Sequence, residues 1–193
     1  MKRGETRAGI LKVGAALICR RGFNATGIDV VLKKAGVPKG SFYHYFPSKD
    51  DFGLAIIEQG AAEYREKLEA FLTDSRYTPL QRVRNFLESG IAAQENSKCK
   101  RGCLMGNLGQ EMASQSEKFR QRIDEVFQTW KAMFAACFAE ARKQGELAKT
   151  QDPEQLAGFF LTGWEGAILH AKVTGSVRPL REFSAVLFEK VFK

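Results

Sequence analysis

The chain has 193 residues, 44% of them hydrophobic, which is typical of a globular protein with one or two domains. No apolar run approaches the roughly 20 residues of a transmembrane helix, and the start MKRGETRAGI lacks the apolar segment of a secretory signal, so we expect a cytoplasmic protein with no membrane partner. The net charge is +8, and residues 1–50 hold ten Lys and Arg against three Asp and Glu, so a local excess of +7 favours a nucleic-acid partner for this segment.

The first quarter of the chain predicts a basic group of three helices. Apolar residues at three- and four-residue spacing predict a helix over residues 6–21. Thr26 is the expected N-cap of a second helix over residues 27–35. The basic residues at the very start, Lys2, Arg3 and Arg7, predict either an arm that touches DNA phosphate or a solvated tail.

Residues 36–46, GVPKGSFYHYF, are the most informative stretch of this segment. Gly36 is suited to end one helix and Pro38 to open the next, which predicts a tight corner between them. Three aromatic side chains share one side of the following helix: Phe42, Tyr45 and Phe46. The other side presents a cation, a hydroxyl, a phenol and an imidazole, on Lys39, Ser41, Tyr43 and His44. These groups suit phosphate oxygens and the base edges of the major groove, whereas a plain core helix would not carry them.

The rest of the chain predicts six more helices and no strand, because two-residue alternation never persists. Ser48 and Asp51 predict a capped start for a helix over residues 49–72. The later helices are expected over residues 79–96, 103–114, from Ser116 to Gly145, from Pro153 past residue 171, and over residues 179–193. Thr78 before Pro79 and Asp152 before Pro153 are the expected caps of two of them. Residues 96–102 are polar and basic and predict a loop. The pattern therefore indicates an all-α chain of about nine helices.

Four cysteines raise the question of reactive or metal-binding thiols. They are Cys19, Cys99, Cys103 and Cys137, and a chain without an export signal is not expected to use them as a disulfide framework. Zinc is disfavoured, since the two histidines are distant in sequence from the Cys99 and Cys103 pair. Cys103 follows a basic loop and precedes a helix, which favours the reactive thiolate. The alternative is a buried cysteine that fills space.

A small-molecule site is the other candidate in the body. Aromatic side chains at helical spacing are either pocket walls or plain core; they are Phe86, Trp130, Phe134 and Trp164. Lys172 lies two helical turns after Glu165, so it either pairs with that carboxylate or holds the carboxylate of a ligand.

The segment from Thr26 to about residue 54, with Lys49 at its last helix start, resembles the DNA-binding signature of TetR-type transcriptional repressors. The resemblance implies an N-terminal helix-turn-helix DNA-binding domain, residues 1–48, and a larger helical ligand-binding and dimerisation domain, residues 49–193. It implies a homodimer that binds palindromic double-stranded operator DNA and is released by a small-molecule inducer, with no cofactor and no metal. The implied DNA-binding residues are Thr26, Lys39, Gly40, Ser41, Tyr43, His44 and Lys49.

A narrower resemblance concerns the body. RGCLMGNLGQEM (101–112) and GWEGAILHAK (163–172) look like the AcuR-like, acrylate-responsive branch of this family and, more distantly, its NemR-like, electrophile-responsive branch. This resemblance implies an electrophile sensor at Cys103 with Lys172 as its partner, and an unsaturated carboxylate such as acrylate as the inducer.

Two other functions are weighed against a ligand-responsive repressor. An architectural DNA-binding protein without a ligand would need only the basic segment. A thiol enzyme that uses Cys103 and His170 is disfavoured, because no Asn or Asp at a recognisable spacing orients the histidine and no oxyanion motif accompanies it. We therefore expect a protein that is not an enzyme.

Overall fold

The fold is built from helices alone in the part of the chain that the structure describes. A computed structural model describes residues 3–192, with side chains from residue 6 onward. The helices are α1 Arg3–Arg21, α2 Ile28–Ala35, α3 Lys39–Tyr45, α4 Lys49–Leu72, α5 Pro79–Asn96, α6 Leu104–Met112, α7 Glu117–Gln144, α8 Pro153–Thr174 and α9 Arg178–Val186, which continues into one π-helical turn, Leu187–Val191. The predicted all-helical fold of about nine helices is confirmed.

Several helix boundaries follow from local stop and cap signals. Gly36 ends α2 in the left-handed conformation, with φ of 67°, which glycine adopts readily. Asp152 accepts hydrogen bonds from the two backbone N–H groups that open α8. At the start of α4, the Ser48 hydroxyl accepts the N–H of Asp51 at 3.0 Å and donates to the Asp51 carboxylate at 2.7 Å. These predicted caps are confirmed.

Neither of the two predicted threonine caps makes a side-chain hydrogen bond to its helix: the predicted position is wrong for Thr26 and confirmed for Thr78. Gly27, not Thr26, occupies the N-cap position of α2, and the Thr26 hydroxyl instead donates to the Gly22 carbonyl at 2.6 Å. Thr78 does occupy the N-cap position of α5, but its hydroxyl donates to the Glu146 carboxylate at 2.8 Å. In both cases the hydroxyl satisfies an acceptor outside the helix it precedes.

The last helix also differs from its predicted range, since its α-helical part ends at Val186.

The chain clusters into two compact units. The first comprises the residues up to Glu63 together with Cys103–Asp124, and the second comprises Tyr64–Gly102 together with the residues from Glu125 onward. Consequently α6 belongs to the same unit as α1, α2 and α3, although about sixty residues of sequence separate it from the end of α3. The predicted division after residue 48 stays a prediction. Among the described helices, none combines the length and the hydropathy of a membrane span.

In the first unit, α1 and α4 approach closely at a glycine. A Cβ on Gly14 would lie 2.3 Å from the ring of Phe52, so a larger residue there would push the helices apart. Around this contact lies a core of buried apolar side chains: Ile10, Leu17, Ile18, Val31, Leu32, Phe42, Phe46 and Ile56. This core fixes α3 against the first part of α4.

Candidate functional site

The corner between α2 and α3 places α3 on the protein surface. Pro38 occupies the N-cap position of α3 with φ of −61° and ψ of 150°, and its carbonyl accepts the N–H of Ser41 at 3.0 Å. The proline ring fixes φ near this value, which suits the residue that precedes a helix. The predicted helix-turn-helix corner is therefore present.

Aromatic packing anchors one side of α3. The rings of Phe42 and Phe46 are 0% and 1% exposed, with centroids 5.3 Å apart. Both also contact Phe52 of α4, at 5.2 Å and 5.1 Å. Tyr45, expected on the same side, is half-buried. Three such rings in mutual contact give α3 a firm base.

The other side of α3 faces solvent. Lys39, Gly40, Tyr43 and His44 are exposed, Tyr43 to 55%, and Ser41 is half-buried. The Lys39 ammonium lies 3.0 Å from the Asp29 carboxylate of α2, and the hydrogen bond to Asp29 raises the pKa of Lys39. Both partners of this ion pair are solvent-exposed, so it is easily exchanged for another anion.

Thr26 and Lys49 flank α3 and already have partners in the protein. Thr26 is 3% exposed and donates its hydroxyl to Gly22. Lys49 donates to the Asn24 carbonyl at 3.1 Å, with its ammonium 4.9 Å from the centroid of the Phe23 ring. Phosphate contacts by these two residues stay predictions; the Thr26 hydroxyl would have to change partner, whereas the Lys49 ammonium has three N–H donors and can add a phosphate to its Asn24 acceptor.

The predicted basic arm falls largely outside the structural description. Lys2 lies outside the described residues, as does the side chain of Arg3. Arg7 lies on α1 with its guanidinium carbon 5.3 Å from the centroid of the Phe46 ring. The base of α3 and the start of α1 are thus adjacent in the first unit.

Cys103 occupies the N-cap position of α6 and is half-exposed, whereas Cys19, Cys99 and Cys137 are buried. Burial raises the pKa of the Cys99 thiol, with a smaller effect from the Glu95 carboxylate. Burial likewise raises the pKa of Cys137 to about 12. The positive end of a helix dipole, in contrast, favours a thiolate. Cys103 is therefore the most accessible of the four cysteines, and its reactive thiolate stays a prediction.

The four predicted pocket aromatics lie together in the second unit. Phe86 contacts Phe134 at 5.3 Å and Trp164 at 6.2 Å between ring centroids. Tyr64 connects Trp130, at 4.2 Å, to Phe86, at 6.2 Å. Each of the four predicted residues is at most 2% exposed, so they form a packed aromatic core. Their contact with a ligand stays a prediction.

Lys172 lies near the end of α8 and is half-buried. It belongs to the second unit, whereas Cys103 belongs to the first. The pairing of Cys103 with Lys172 stays a prediction. Within the described residues, no cluster of three or more His, Cys, Asp or Glu side chains is arranged to hold a metal ion.

A groove of about 540 Å³ opens in the second unit where the end of α4 meets α5 and α7. It is lined by Glu69, Leu72, Thr73, Arg82, Met133, Ala136, Cys137 and Glu140. Arg82, only 7% exposed, forms an ion pair of 2.8 Å with Glu140. The groove therefore places a partly exposed ion pair beside the apolar side chains of Leu72, Met133 and Ala136.

Sequence reasoning missed three charged side chains that lie on apolar helix faces. Arg82 precedes Phe86 by four residues, and Glu111 follows Leu108 by three, so both share buried stripes. The third, Lys67, has its ammonium 5.7 Å from the centroid of the Phe86 ring, and desolvation lowers its pKa. A charged residue at a position where the helical spacing predicts a buried apolar residue is the sequence signal that would have identified these three side chains.

Two family descriptions match the chain. Residues 10–56 match the one described as bacterial regulatory proteins, tetR family. Residues 79–187 match the one described as tetracyclin repressor-like, C-terminal domain. The first match contains α2, α3 and the corner between them, and the second contains the aromatic core.

Individual relatives agree with both matches. The transcriptional regulator AcuR of Cereibacter sphaeroides is 41% identical over 175 residues, which cover 91% of this chain and 80% of AcuR. The crystal structure of regulatory protein TetR from Rhodobacter sphaeroides has a TM-score of 0.92 and 40% identity, covering 96% of this chain and 98% of that one. The reduced form of Escherichia coli NemR gives a TM-score of 0.83 and 32% identity, covering 94% of each chain.

Proposed function

The chain belongs to the TetR family of bacterial regulatory proteins, and we propose that it is a homodimeric repressor that binds a palindromic operator through α3 and leaves it when a small electrophilic carboxylate, such as acrylate, binds. The named relatives AcuR and NemR are transcriptional regulators. Three separate features support the finer assignments: the exposed side of α3, an apolar stripe on α8, and the position of Cys103.

The observation that carries the DNA proposal is the contrast between the two sides of α3. Phe42 and Phe46 are buried on the core side of the helix, while Lys39, Tyr43 and His44 are exposed on its other side. A helix that is already fixed loses little conformational freedom on binding. Its phenol, imidazole and ammonium groups have the reach and polarity to contact base edges and phosphate in a major groove.

The remaining predicted DNA-binding residues lie in the first turn of α3, as Gly40 and Ser41 do, or before and after the helix, as Thr26 and Lys49 do. Gly40 has no side chain, and a Cβ there would meet nothing within 4 Å, so the first turn of α3 leaves room for a phosphate. Ser41 adds a hydroxyl beside it. In this proposal the Lys49 ammonium keeps its Asn24 acceptor and donates a further N–H to a phosphate oxygen, while the Thr26 hydroxyl turns from the Gly22 carbonyl to a phosphate.

A DNA titration tests this assignment. The probe is a labelled duplex of about 30 base pairs that the wild-type protein selects from a random-sequence pool, long enough for two half-sites one turn apart. Tyr43→Ala is expected to weaken binding to this duplex and to leave binding to a scrambled duplex nearly unchanged. Tyr77→Ala is the matched control, since Tyr77 is 43% exposed but lies in the second unit. Equal affinities for the two variants would contradict the role of α3.

The dimer proposal is supported by an exposed apolar stripe on α8. Phe159, Leu169 and Val173 are 53%, 41% and 76% exposed. With Thr162 and Gly166 they follow three- and four-residue spacing, the pattern that one helix presents to another. A Cβ on Gly166 would meet nothing within 4 Å, so a second helix has room to approach there. A second copy of this chain fits the stripe because two identical faces pair about a two-fold axis.

The inducer proposal rests on Cys103. Its thiolate sulfur forms a bond to the β-carbon of acrylate, the electrons of the carbon–carbon double bond move to the α-carbon, and the α-carbon takes a proton from water.

Mass spectrometry of the intact protein after acrylate treatment tests the covalent step. An adduct on the wild type that is absent from Cys103→Ser, with loss of acrylate-dependent DNA release in the same variant, is the expected result. A Cys103→Ser protein that still leaves the selected duplex when acrylate is added would rule out covalent sensing at this residue.

A further inference from the structure

One carboxylate joins α6 to the turn between α1 and α2. Oε2 of Glu111 accepts the backbone N–H of Phe23 at 2.6 Å, and Oε1 accepts the N–H of Asn24 at 2.7 Å. The side-chain amide of Asn24 donates in turn to Gln115 at 3.1 Å. All of these residues belong to the first unit. We call the contact of Glu111 with these two backbone amides the Glu111 latch.

The local backbone is shaped for this contact. Gly22 has φ of 85°, a conformation that favours glycine, and a Cβ there would lie 2.7 Å from Oε2 of Glu111. A side chain at residue 22 would therefore displace the carboxylate. Two N–H groups donating to one ionised carboxylate form strong, short hydrogen bonds.

The turn held by the Glu111 latch contains backbone carbonyls that accept hydrogen bonds from two predicted DNA-binding residues, Thr26 and Lys49. The backbone N–H of Thr26 donates to the Phe23 carbonyl at 3.1 Å, and the Lys49 ammonium donates to the Asn24 carbonyl at 3.1 Å. Glu111 accepts the backbone N–H groups of the same two residues, Phe23 and Asn24. A displacement of the Glu111 carboxylate therefore moves the groups to which Thr26 and Lys49 are attached.

The other end of α6 is Cys103. Because α6 spans nine residues, its two ends lie about 13 Å apart along a rigid helix. A change at the N-cap that shifts or tilts α6 is carried to the latch without passing through a flexible segment. The latch is thus a short physical route between the proposed sensor and the DNA-binding turn.

We infer that Glu111 is a positioning residue for operator binding: it sets the α1–α2 turn, and through it Thr26 and Lys49, according to where α6 lies. This inference rests on the proposed repressor function. The equilibrium between α6 positions then biases operator affinity, and by linkage the operator biases α6.

The test uses the full-length protein and the duplex that the wild type selects from a random pool. Glu111→Gln keeps the shape of the side chain but turns an amide NH₂ toward one of the two backbone N–H groups. Gln115→Ala leaves the Glu111 carboxylate in place but removes the neighbouring bond to Asn24 and the bond that the Gln115 amide donates to the Glu111 backbone carbonyl at 2.6 Å. Glu117→Gln is the control, because among the described residues the bonds of that exposed carboxylate stay within α7, to Arg120 and Gln121. Thermal melting of each variant reports whether the fold is intact.

Two readouts are expected to separate coupling from simple packing. The dissociation constant for the duplex rises about tenfold in Glu111→Gln, equivalent to ~1.4 kcal/mol, rises less in Gln115→Ala, and is unchanged in Glu117→Gln. Hydrogen exchange in α6 slows when operator binds to the wild type or to Glu117→Gln, but not when it binds to Glu111→Gln. A purely structural role would not abolish this remote protection.

Three results would overturn the inference. If Glu111→Gln and Gln115→Ala bind the duplex as tightly as Glu117→Gln, the latch does not position the DNA contacts. If α6 of Glu111→Gln is protected by operator as in the wild type, the latch does not couple them. A wild-type protein that enriches no duplex at all contradicts the proposed function itself, and the inference with it.

Discussion

Replacing Arg82 by leucine removes a buried cation that ties three segments of the second unit together. Its Nε donates to the carbonyls of Asp74 at 2.8 Å and Tyr77 at 3.0 Å. Its Nη1 donates to the carbonyl of Leu72 at 3.2 Å and to the Glu140 carboxylate at 2.8 Å. The first three acceptors form the end of α4 and the connection to α5, and the fourth lies on α7. Leucine fills part of the volume but satisfies none of these acceptors.

The expected cost follows from what is left behind. Removing one partner of a buried ion pair costs roughly 3–5 kcal/mol in free energy of unfolding. The Glu140 side chain is 39% exposed, so water partly compensates for the lost cation and the lower end applies, about 3 kcal/mol. For a chain of this length, that corresponds to a fall in Tm of roughly 6–12 °C.

Thermal and urea unfolding, followed by circular dichroism at one fixed protein concentration, measure this effect. Arg178→Leu is the matched control, because its guanidinium is 82% exposed and pairs with Glu182 on the same helix. Its melting temperature should stay close to that of the wild type. If Arg82→Leu melts together with Arg178→Leu, the buried network does not stabilise the second unit as reasoned here.

Further predictions concern the core of the first unit, the α8 stripe and a buried thiol. Phe42→Ala should lower the free energy of unfolding by ~3–5 kcal/mol, because a 0% exposed ring leaves a cavity; a wild-type urea midpoint would contradict this. Phe159→Lys combined with Val173→Lys should give a monomer in size-exclusion chromatography with light scattering, whereas a persisting dimer would exclude the stripe as the interface. Cys137 has its pKa raised from 9.0 to about 12, so the folded state binds more protons than the unfolded state between these values. Stability should therefore fall as pH rises from 9 toward 12, and Cys137→Ala should remove that part of the fall; identical pH slopes for both proteins would refute it.

Local signals explain why the DNA-binding helices were predictable. Gly36 needs only its own backbone freedom to end α2, and the aromatic spacing of α3 depends only on helical geometry. The starts of α4 and α8 follow from residues within one turn of the helix. Each of these signals depends only on residues close together in the chain, so it can be recognised in a single sequence.

The partners of polar side chains are set by tertiary contacts and were not predictable in the same way. Thr26 and Thr78 have the residue type of an N-cap, but each hydroxyl found a better-placed acceptor. The Glu111 carboxylate bonds to backbone amides 87 and 88 residues away. The sequence indicates this contact only through the position of Glu111, a charged residue on an otherwise apolar helix face. The candidate ligand contacts of Cys103 and Lys172 have the same limitation, since they depend on groups distant in the chain.

The salt dependence of operator binding tests the central claim most directly, because the proposal is that two copies of α3 each bring Lys39 to the DNA backbone. The logarithm of affinity for the selected duplex is measured against the logarithm of salt concentration for the wild type, Lys39→Ala and the control Lys149→Ala. The account predicts that Lys39→Ala lowers the slope by about two, one phosphate contact from each protomer, and that Lys149→Ala leaves it unchanged. Equal slopes for all three proteins would contradict the claim that α3 binds operator DNA.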